Sequence, residues 1–286
     1  MTTSAPAILV RDLHKSYGDV HAVAGIDFEV ARGEVFGLLG PNGAGKTTTV
    51  EVLEGYRERT RGIVSVLGYD PSSRPRALRE RVGIVLQSSG TYRHLTAREL
   101  VSHWAGFYPA PRDIDEVLDL AGLRECQDVR ARKLSGGQAR RLDFALALVG
   151  DPELIFLDEP TTGFDPGARR TAWETIRSLR SLGKTILLTT HYIEEAHRLA
   201  DRVAVMRRGE IVASGTPAEL IARAPSTVIR FRRDGEEVVI QTEEPTRVLY
   251  DLTGRALQNG HDLEGLEVHR PTLEDVYLAL TEEEAE

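Results

Sequence analysis

One cysteine, Cys126, is all the chain contains, so no internal disulfide can form. That excludes the stapled secreted scaffolds and fits a reducing compartment, with Cys126 a structural thiol. Long apolar runs are missing too; FALALV, Phe144 to Val149, is among the longest. A membrane-crossing helix needs roughly 20 mostly apolar residues, so the chain is not expected to cross a bilayer. The opening MTTSAPAILVRD lacks a basic start followed by an apolar stretch, and no signal peptide is expected. A basic excess is also absent. Lys and Arg number 36 against 44 Asp and Glu, a net charge of −8. Residues 225–286 hold 6 of the basic and 15 of the acidic side chains, so the body is near neutral and the acid sits at the C-terminus. Nucleic acid asks for a concentrated basic face and is not an expected partner. The arginines at Arg74, Arg76, Arg79 and Arg81 fit a solvated helix face.

The 286 residues suffice for one large domain and an appendage. Four segments share a design, a short apolar run closed by a residue able to do chemistry. VFGLLG enters a glycine loop, RVGIVLQ ends at Gln87, ELIFLDE at Asp158 and Glu159, and TILLTTH at His191. Apolar runs without alternation predict strands buried on both faces of a parallel sheet, and such sheets hold ligands beyond the carboxyl ends of their strands. AILVRDLHKSYGDVHAVAGIDFEVARGE predicts short antiparallel strands with turns at Tyr17-Gly18-Asp19 and Ala31-Arg32-Gly33. Residues of about 90–140 predict a helical insertion. Thr96 and Glu99 open a helix as a capping box, with Leu100, Val101, Trp104 and Tyr108 at core spacing, and DIDEVLDLAGL forms a second helix.

Gly40-Pro41-Asn42-Gly43-Ala44-Gly45-Lys46-Thr47-Thr48 satisfies G-x-x-x-x-G-K-[ST] between a strand and a helix-compatible stretch. Its glycines let backbone N–H groups face phosphate oxygens, and the helix N-terminus adds a positive end. The Lys46 side chain would reach the β- and γ-phosphates of ATP, and the Thr47 hydroxyl would ligate Mg²⁺. Asp158 has the character of a second Mg²⁺-holding group, and Glu159 that of the general base. For Gln87 two roles are open, metal ligand or orienting group for the attacking water. His191 is a candidate γ-phosphate contact.

Ser135-Gly136-Gly137-Gln138 is a second glycine loop ahead of an apolar helix. It can be a helix N-cap with glycines making the bend. It can also be an anion site made of a hydroxyl, glycine amides and a helix end, lacking its own lysine and metal ligand. Such a site makes sense if it closes on a phosphate held elsewhere.

With these motifs, residues 7–220 resemble the nucleotide-binding subunit of an ABC transporter. LSGGQ resembles the family's signature, LIFLDEP its Walker B segment, TTGFDP its D-loop, and His191 in TTHYIEEA its switch histidine. The resemblance implies an ABC ATPase of the P-loop NTPase, α/β class, with an N-terminal antiparallel β subdomain. It also places Tyr17 as an aromatic stacking on adenine and Asp165 in the D-loop. Two copies would dimerise head-to-tail, each ATP lying between one Lys46 loop and the other Ser135 loop. All catalytic positions match, so identical copies would form two competent sites. Phe164 departs from the usual D-loop leucine, and Ala139 from a longer polar residue.

The expected domains are 1–224 for the ATPase and 225–286 for a small α+β unit. In the latter, a hairpin turns at Asp234-Gly235, Val248, Leu249, Leu252 and Ala256 share a helical face ending at Asn259-Gly260, and Thr272 with Asp275 caps a last helix. PTLEDVYLALT resembles the C-terminal motif of daunorubicin-resistance-type drug exporters. The resemblance implies a separate transmembrane permease as partner, a position at the inner face of the membrane, and export of a hydrophobic drug or lipid-like compound. An importer ATPase and a non-transport ABC ATPase are the alternatives.

Overall fold

The computed structural model describes residues 5–85, 92–222, 227–233, 236–260 and 262–282. They fall into two compact units, residues 1–216 and 217–286.

In the first unit, β1 (Ile8–Tyr17) turns at Gly18 into β2 (Val20–Val30), the expected antiparallel hairpin. The turn needs glycine, because Gly18 sits in the left-handed region at φ 57°. β3 (Val35–Leu39) is buried at every residue and runs through the glycine loop into α1 (Lys46–Leu53). β4 (Arg61–Val66) returns to the other side of β1, giving the order β2-β1-β4. Nothing in RGIVSV announces this strand, which is an edge with Ile63 exposed.

A second sheet carries the rest. α2 (Arg76–Arg79) precedes β5 (Val82–Val85), and a helical layer follows: α3 (Ala97–Ala105), α4 (Ile114–Leu120) and α5 (Gly136–Leu148). Then come β6 (Leu154–Asp158), α6 (Pro166–Ser181), β7 (Thr185–Thr190), α7 (Ile193–Leu199), β8 (Arg202–Arg207) and β9 (Glu210–Gly215). The sheet order is β5-β6-β7-β3-β8-β9, parallel except for β9 at the edge. β7 is buried throughout and β6 through Leu157, which is why their sequences run apolar without alternation. Four strands expected to deliver chemistry are neighbours, β5-β6-β7-β3, so their carboxyl ends share one sheet edge.

Three apolar clusters hold the unit together. The antiparallel sheet packs with α1 on β3, Phe28 and Phe36 stacking at 5.4 Å between ring centres. Trp173, Ile176 and Leu179 of α6 join Phe144 and Leu148 of α5 on Ile155, Leu157, Ile186 and Leu188. The third cluster lies among the helices: Leu100, Val101, Val117, Leu118, Leu142 and Ala145. α5 contributes to both of the last two. The Thr96 capping box is present, and Asp113 caps α4 by accepting from the Glu116 amide at 3.0 Å.

The second unit comprises α8 (Pro217–Ile221), β10 (Thr227–Arg233), β11 (Glu236–Thr242), α9 (Pro245–Asn259), β12 (Glu264–His269) and α10 (Leu273–Glu282). Its sheet order is β11-β10-β12, all antiparallel. α8 packs on α10, which is why the division precedes residue 224. The Asp234-Gly235 turn lies outside the described residues. α9 ends at Gly260 in the left-handed conformation, and Thr272 and Asp275 cap α10 reciprocally.

Candidate nucleotide-binding site

The glycine loop leaves the buried strand β3 and its shape is enforced by close approaches. A Cβ on Gly40 would stand 2.4 Å from the Met206 carbonyl oxygen, and one on Gly45 2.3 Å from that of Ala22, where φ is 101°. Gly43 is also left-handed, yet nothing lies within 4 Å of its would-be Cβ. Pro41, Asn42, Gly43 and Thr47 are exposed, Ala44 is buried and Thr48 half-buried. The loop thus presents its tip outward on a base locked by the fold. Lys46 is buried, and its ammonium donates to its own loop's carbonyls, Gly40 at 2.8 Å and Pro41 at 3.1 Å. Desolvation lowers its pKa, partly opposed by the nearby Glu159 charge.

At the end of β6 the two carboxylates diverge. Asp158 Oδ1 accepts from the Thr189 hydroxyl of β7 at 2.6 Å. Glu159 adopts φ 44°, a left-handed conformation uncommon for a residue with a side chain. Its amide is held by the same hydroxyl at 3.0 Å and by the Thr189 carbonyl at 3.2 Å. This turn places the carboxylate among three partners. Lys46 Nζ lies 3.6 Å from Oε1, His191 Nδ1 lies 3.4 Å from Oε2, and the Thr162 hydroxyl donates to Oε2 at 3.0 Å. Lys46, Glu159 and His191, three residues more than a hundred positions apart at the extremes, therefore meet around one carboxylate. Gln87 lies outside the described residues.

The family model described as ABC transporter matches residues 23–162. Nod factor export ATP-binding protein I of Bradyrhizobium diazoefficiens is 41% identical over 311 residues, spanning 100% of both chains. The chain belongs to the ABC transporter ATP-binding subunits. Among solved structures, cbiO1 from Clostridium perfringens, part of the ABC transporter complex cbiONQ, is 30% identical with a TM-score of 0.69. That match covers 77% of this chain and 92% of the other. A dimeric ATP-binding cassette in a post-hydrolysis state, bound to ADP and Pi, matches in fold at 24% identity and a TM-score of 0.65. The latter match covers 73% of this chain and 98% of that one. The fold is the α/β P-loop ABC ATPase, and the chain is an ATP-hydrolysing subunit of a transporter.

In this ABC subunit the signature serine is a complete helix cap. The Ser135 hydroxyl accepts from the Gln138 amide at 3.2 Å, and the Gln138 side chain accepts from the Ser135 amide at 2.9 Å. The cap accounts for Ser135 and Gln138 but not for the glycines. Neither has a left-handed backbone, and a Cβ on Gly136 or Gly137 would meet nothing within 4 Å. The fold of one chain therefore does not demand glycine there. Asp165 caps α6, accepting from the Gly167 and Ala168 amides at 2.8 and 2.9 Å. Phe164, the residue that departs from the usual leucine, lines a small crevice between α5 and α6 with Arg140, Phe144 and Ala168. Tyr17 is 41% exposed, with Lys15 Nζ 4.8 Å and Arg57 Cζ 5.5 Å from its ring centre.

Several contacts at this site escape sequence reasoning. Thr189 anchors the Asp158 carboxylate and the Glu159 backbone amide, and nothing in TILLTT distinguishes it from Thr185 and Thr190. Arg140 reaches from α5 to donate to the Pro160 carbonyl at 3.1 Å. Helix α5 is thereby bonded to the segment that follows Glu159. Thr162 and Glu195, which bond to Glu159 and Thr161, carry no sequence signal of their own. No helix among the described residues is long and apolar enough to cross a membrane.

Proposed function

We propose that the chain is the ATPase of an exporter, hydrolysing MgATP at sites shared by two head-to-tail copies and driving a separate permease. The observation that carries the reading is the left-handed turn at Glu159, which sets its carboxylate beside Lys46 and His191 while Asp158 is bonded to Thr189. In this reading the loop from Gly40 to Thr48 cradles the phosphates, and Lys46 exchanges its loop carbonyls for β- and γ-phosphate oxygens. Glu159 accepts the proton of the attacking water at a carboxylate oxygen. His191 holds the γ-phosphate from the side facing Glu159. Hard oxygen donors suit Mg²⁺, which keeps water and phosphate ligands rather than a protein cage. The Thr47 hydroxyl, the Asp158 carboxylate and Gln87 would hold the ion, which neutralises phosphate charge. Tyr17 stacks on adenine.

Gly136 and Gly137, open above and unneeded by their own chain, leave room for the phosphates of a second copy's ATP, flanked by Ser135 and Gln138, with Asp165 as a further contact across the same interface. Export is favoured by the relatives named for Nod factor export. A hydrophobic drug or lipid-like cargo follows from the daunorubicin-resistance-type C-terminal segment. The acidic unit, residues 225–286 by sequence, serves assembly or regulation, and the subunit sits at the inner membrane face through the permease.

Copurification with its permease, followed by ATP-driven efflux assays in vesicles, tests the reading. Efflux lost in Lys46→Ala is expected; uptake in place of efflux would overturn the exporter assignment.

A further inference from the structure

Two contacts tie α6 to the segment that carries His191. On the first, the Arg169 guanidinium carbon stands 4.3 Å from the centre of the Tyr192 ring. On the second, the Trp173 indole N–H donates to Glu195 Oε1 at 2.9 Å. Arg169 and Trp173 are one turn apart on α6. Tyr192, the N-cap of α7, and Glu195 are one turn apart on the other side. Contacts one turn apart fix both the spacing of two helices and their rotation about each other.

Each contact continues toward the candidate site. The Tyr192 ring packs on the His191 imidazole, with centres 4.1 Å apart, and His191 Nδ1 lies 3.4 Å from Glu159 Oε2. Glu195 Oε1 also accepts from the Thr161 hydroxyl at 2.8 Å, two residues beyond Glu159. His191 and the Glu159 loop are thus both referred to α6.

The residues used are poor choices for packing alone. Glu195 is fully buried, and its Oε2 has no hydrogen-bond partner. Arg169 Nε is buried without an acceptor. Unpaired buried polar atoms are destabilising, and apolar residues of similar shape would hold two helices as well. Such unsatisfied buried polar atoms point to a use beyond packing.

We propose that Arg169 and Glu195 are positioning residues for ATP hydrolysis, aiming His191 at Glu159 through Tyr192 and the α6–α7 clamp. The proposal rests on Glu159 and His191 acting in hydrolysis as described under Proposed function. Neither Arg169 nor Glu195 touches the nucleotide in this scheme, so their loss slows turnover and spares binding.

Purified full-length protein provides the test, with turnover measured against ATP concentration and affinity measured with a fluorescent nucleotide. Arg169→Met keeps length and apolar packing without the charge. Glu195→Leu removes the acceptor, and Glu195→Gln retains it for both donors. Arg169→Met and Glu195→Leu are expected to lower kcat at least tenfold with ATP affinity within twofold, while Glu195→Gln recovers most of the rate. In a His191→Ala background, Arg169→Met should add less than a twofold loss, because the ring it aims is gone. A full multiplicative loss in that background, or lowered affinity with unchanged kcat, would overturn the clamp. If Glu195→Leu does not fold, the Arg169/His191 cycle decides alone. Glu159→Gln separates the two levels. Wild-type hydrolysis in that variant removes the catalytic scheme and the clamp with it, whereas a dead Glu159→Gln with independent Arg169 and His191 losses removes the clamp only.

Discussion

Lys46 and Glu159 face each other at 3.6 Å, ammonium to Oε1, with 4% and 12% of their side chains exposed. The cation proposed to bind phosphate and the proposed base are therefore partners within the chain. Little water screens them, so the pairing is stronger than a surface ion pair. In the proposed scheme nucleotide phosphates compete with the carboxylate for the same ammonium.

Glu159→Gln tests that competition and the base together. It keeps shape and hydrogen bonding but removes both the proton acceptor and the charge holding Lys46. Turnover is expected to fall about 10²–10⁴-fold, the usual contribution of a general base. ATP affinity is expected to rise. Fluorescence titration and steady-state turnover check both; unchanged turnover assigns the base elsewhere, and weakened binding refutes the competition.

Ser135→Arg tests the shared site. In the Glu159→Gln background, unhydrolysed ATP should hold two subunits together in light scattering at high protein concentration. Adding Ser135→Arg places bulk and a cation above the open glycines and should abolish the dimer, leaving monomer ATP affinity nearly normal. The cap accounts for about 1 kcal/mol of stability, so a thermal melt must show the variant folded. A persistent ATP-dependent dimer would mean that the glycine loop is not a trans phosphate site.

Tyr17→Ala should weaken ATP binding by about 1–3 kcal/mol, the range for base–aromatic stacking in nucleic-acid systems, used by analogy. Tyr17→Phe should restore it, since the ring supplies the contact. Unchanged affinity in Tyr17→Ala would leave Tyr17 as the residue that ends β1 before the Gly18 turn.

Glu54, just past α1, gives a pH signature. Burial first, then the Asp158 and Glu51 charges, push its pKa from 4.5 up to about 8. The folded state then keeps a proton that the unfolded chain releases above pH 4.5, so this group costs stability progressively between about pH 4.5 and 8. Glu54→Gln should match the wild type near pH 4.5 and exceed it at pH 8 by at least about 1 kcal/mol. Denaturant melts across that range check it. A constant difference at every pH would show that Glu54 titrates normally.

The strands that end in chemistry were legible because double-sided burial writes a short run without alternation, and VFGLL, LIFL and TILL each do so. The loop at Gly40 was legible because phosphate binding constrains spacing. β4 was not, since a half-exposed edge strand carries no strong pattern. The Ser135 loop was half legible: S-x-x-Q is itself a capping signature, and the structure contains that cap in full. The open space over the glycines is a tertiary fact with no sequence signal. The clamp residues were invisible for another reason. Arg169, Tyr192 and Glu195 gain their roles from the packing of two helices, and each alone is an unremarked polar side chain.

A helix shared by two cores behaves as a shaft rather than a hinge. Phe144, Ala147 and Leu148 of α5 are seated on the sheet, while its Leu142, Ala145 and Leu146 are seated among α3 and α4. Neither side can tilt without dragging the other, and close-packed interiors transmit such strain rather than absorb it. Torque applied to the helical layer would arrive at Ser135, the head of the same helix, as displacement. The backbone amides along α5 should then exchange with solvent as one block, slowly, instead of fraying with the layer above.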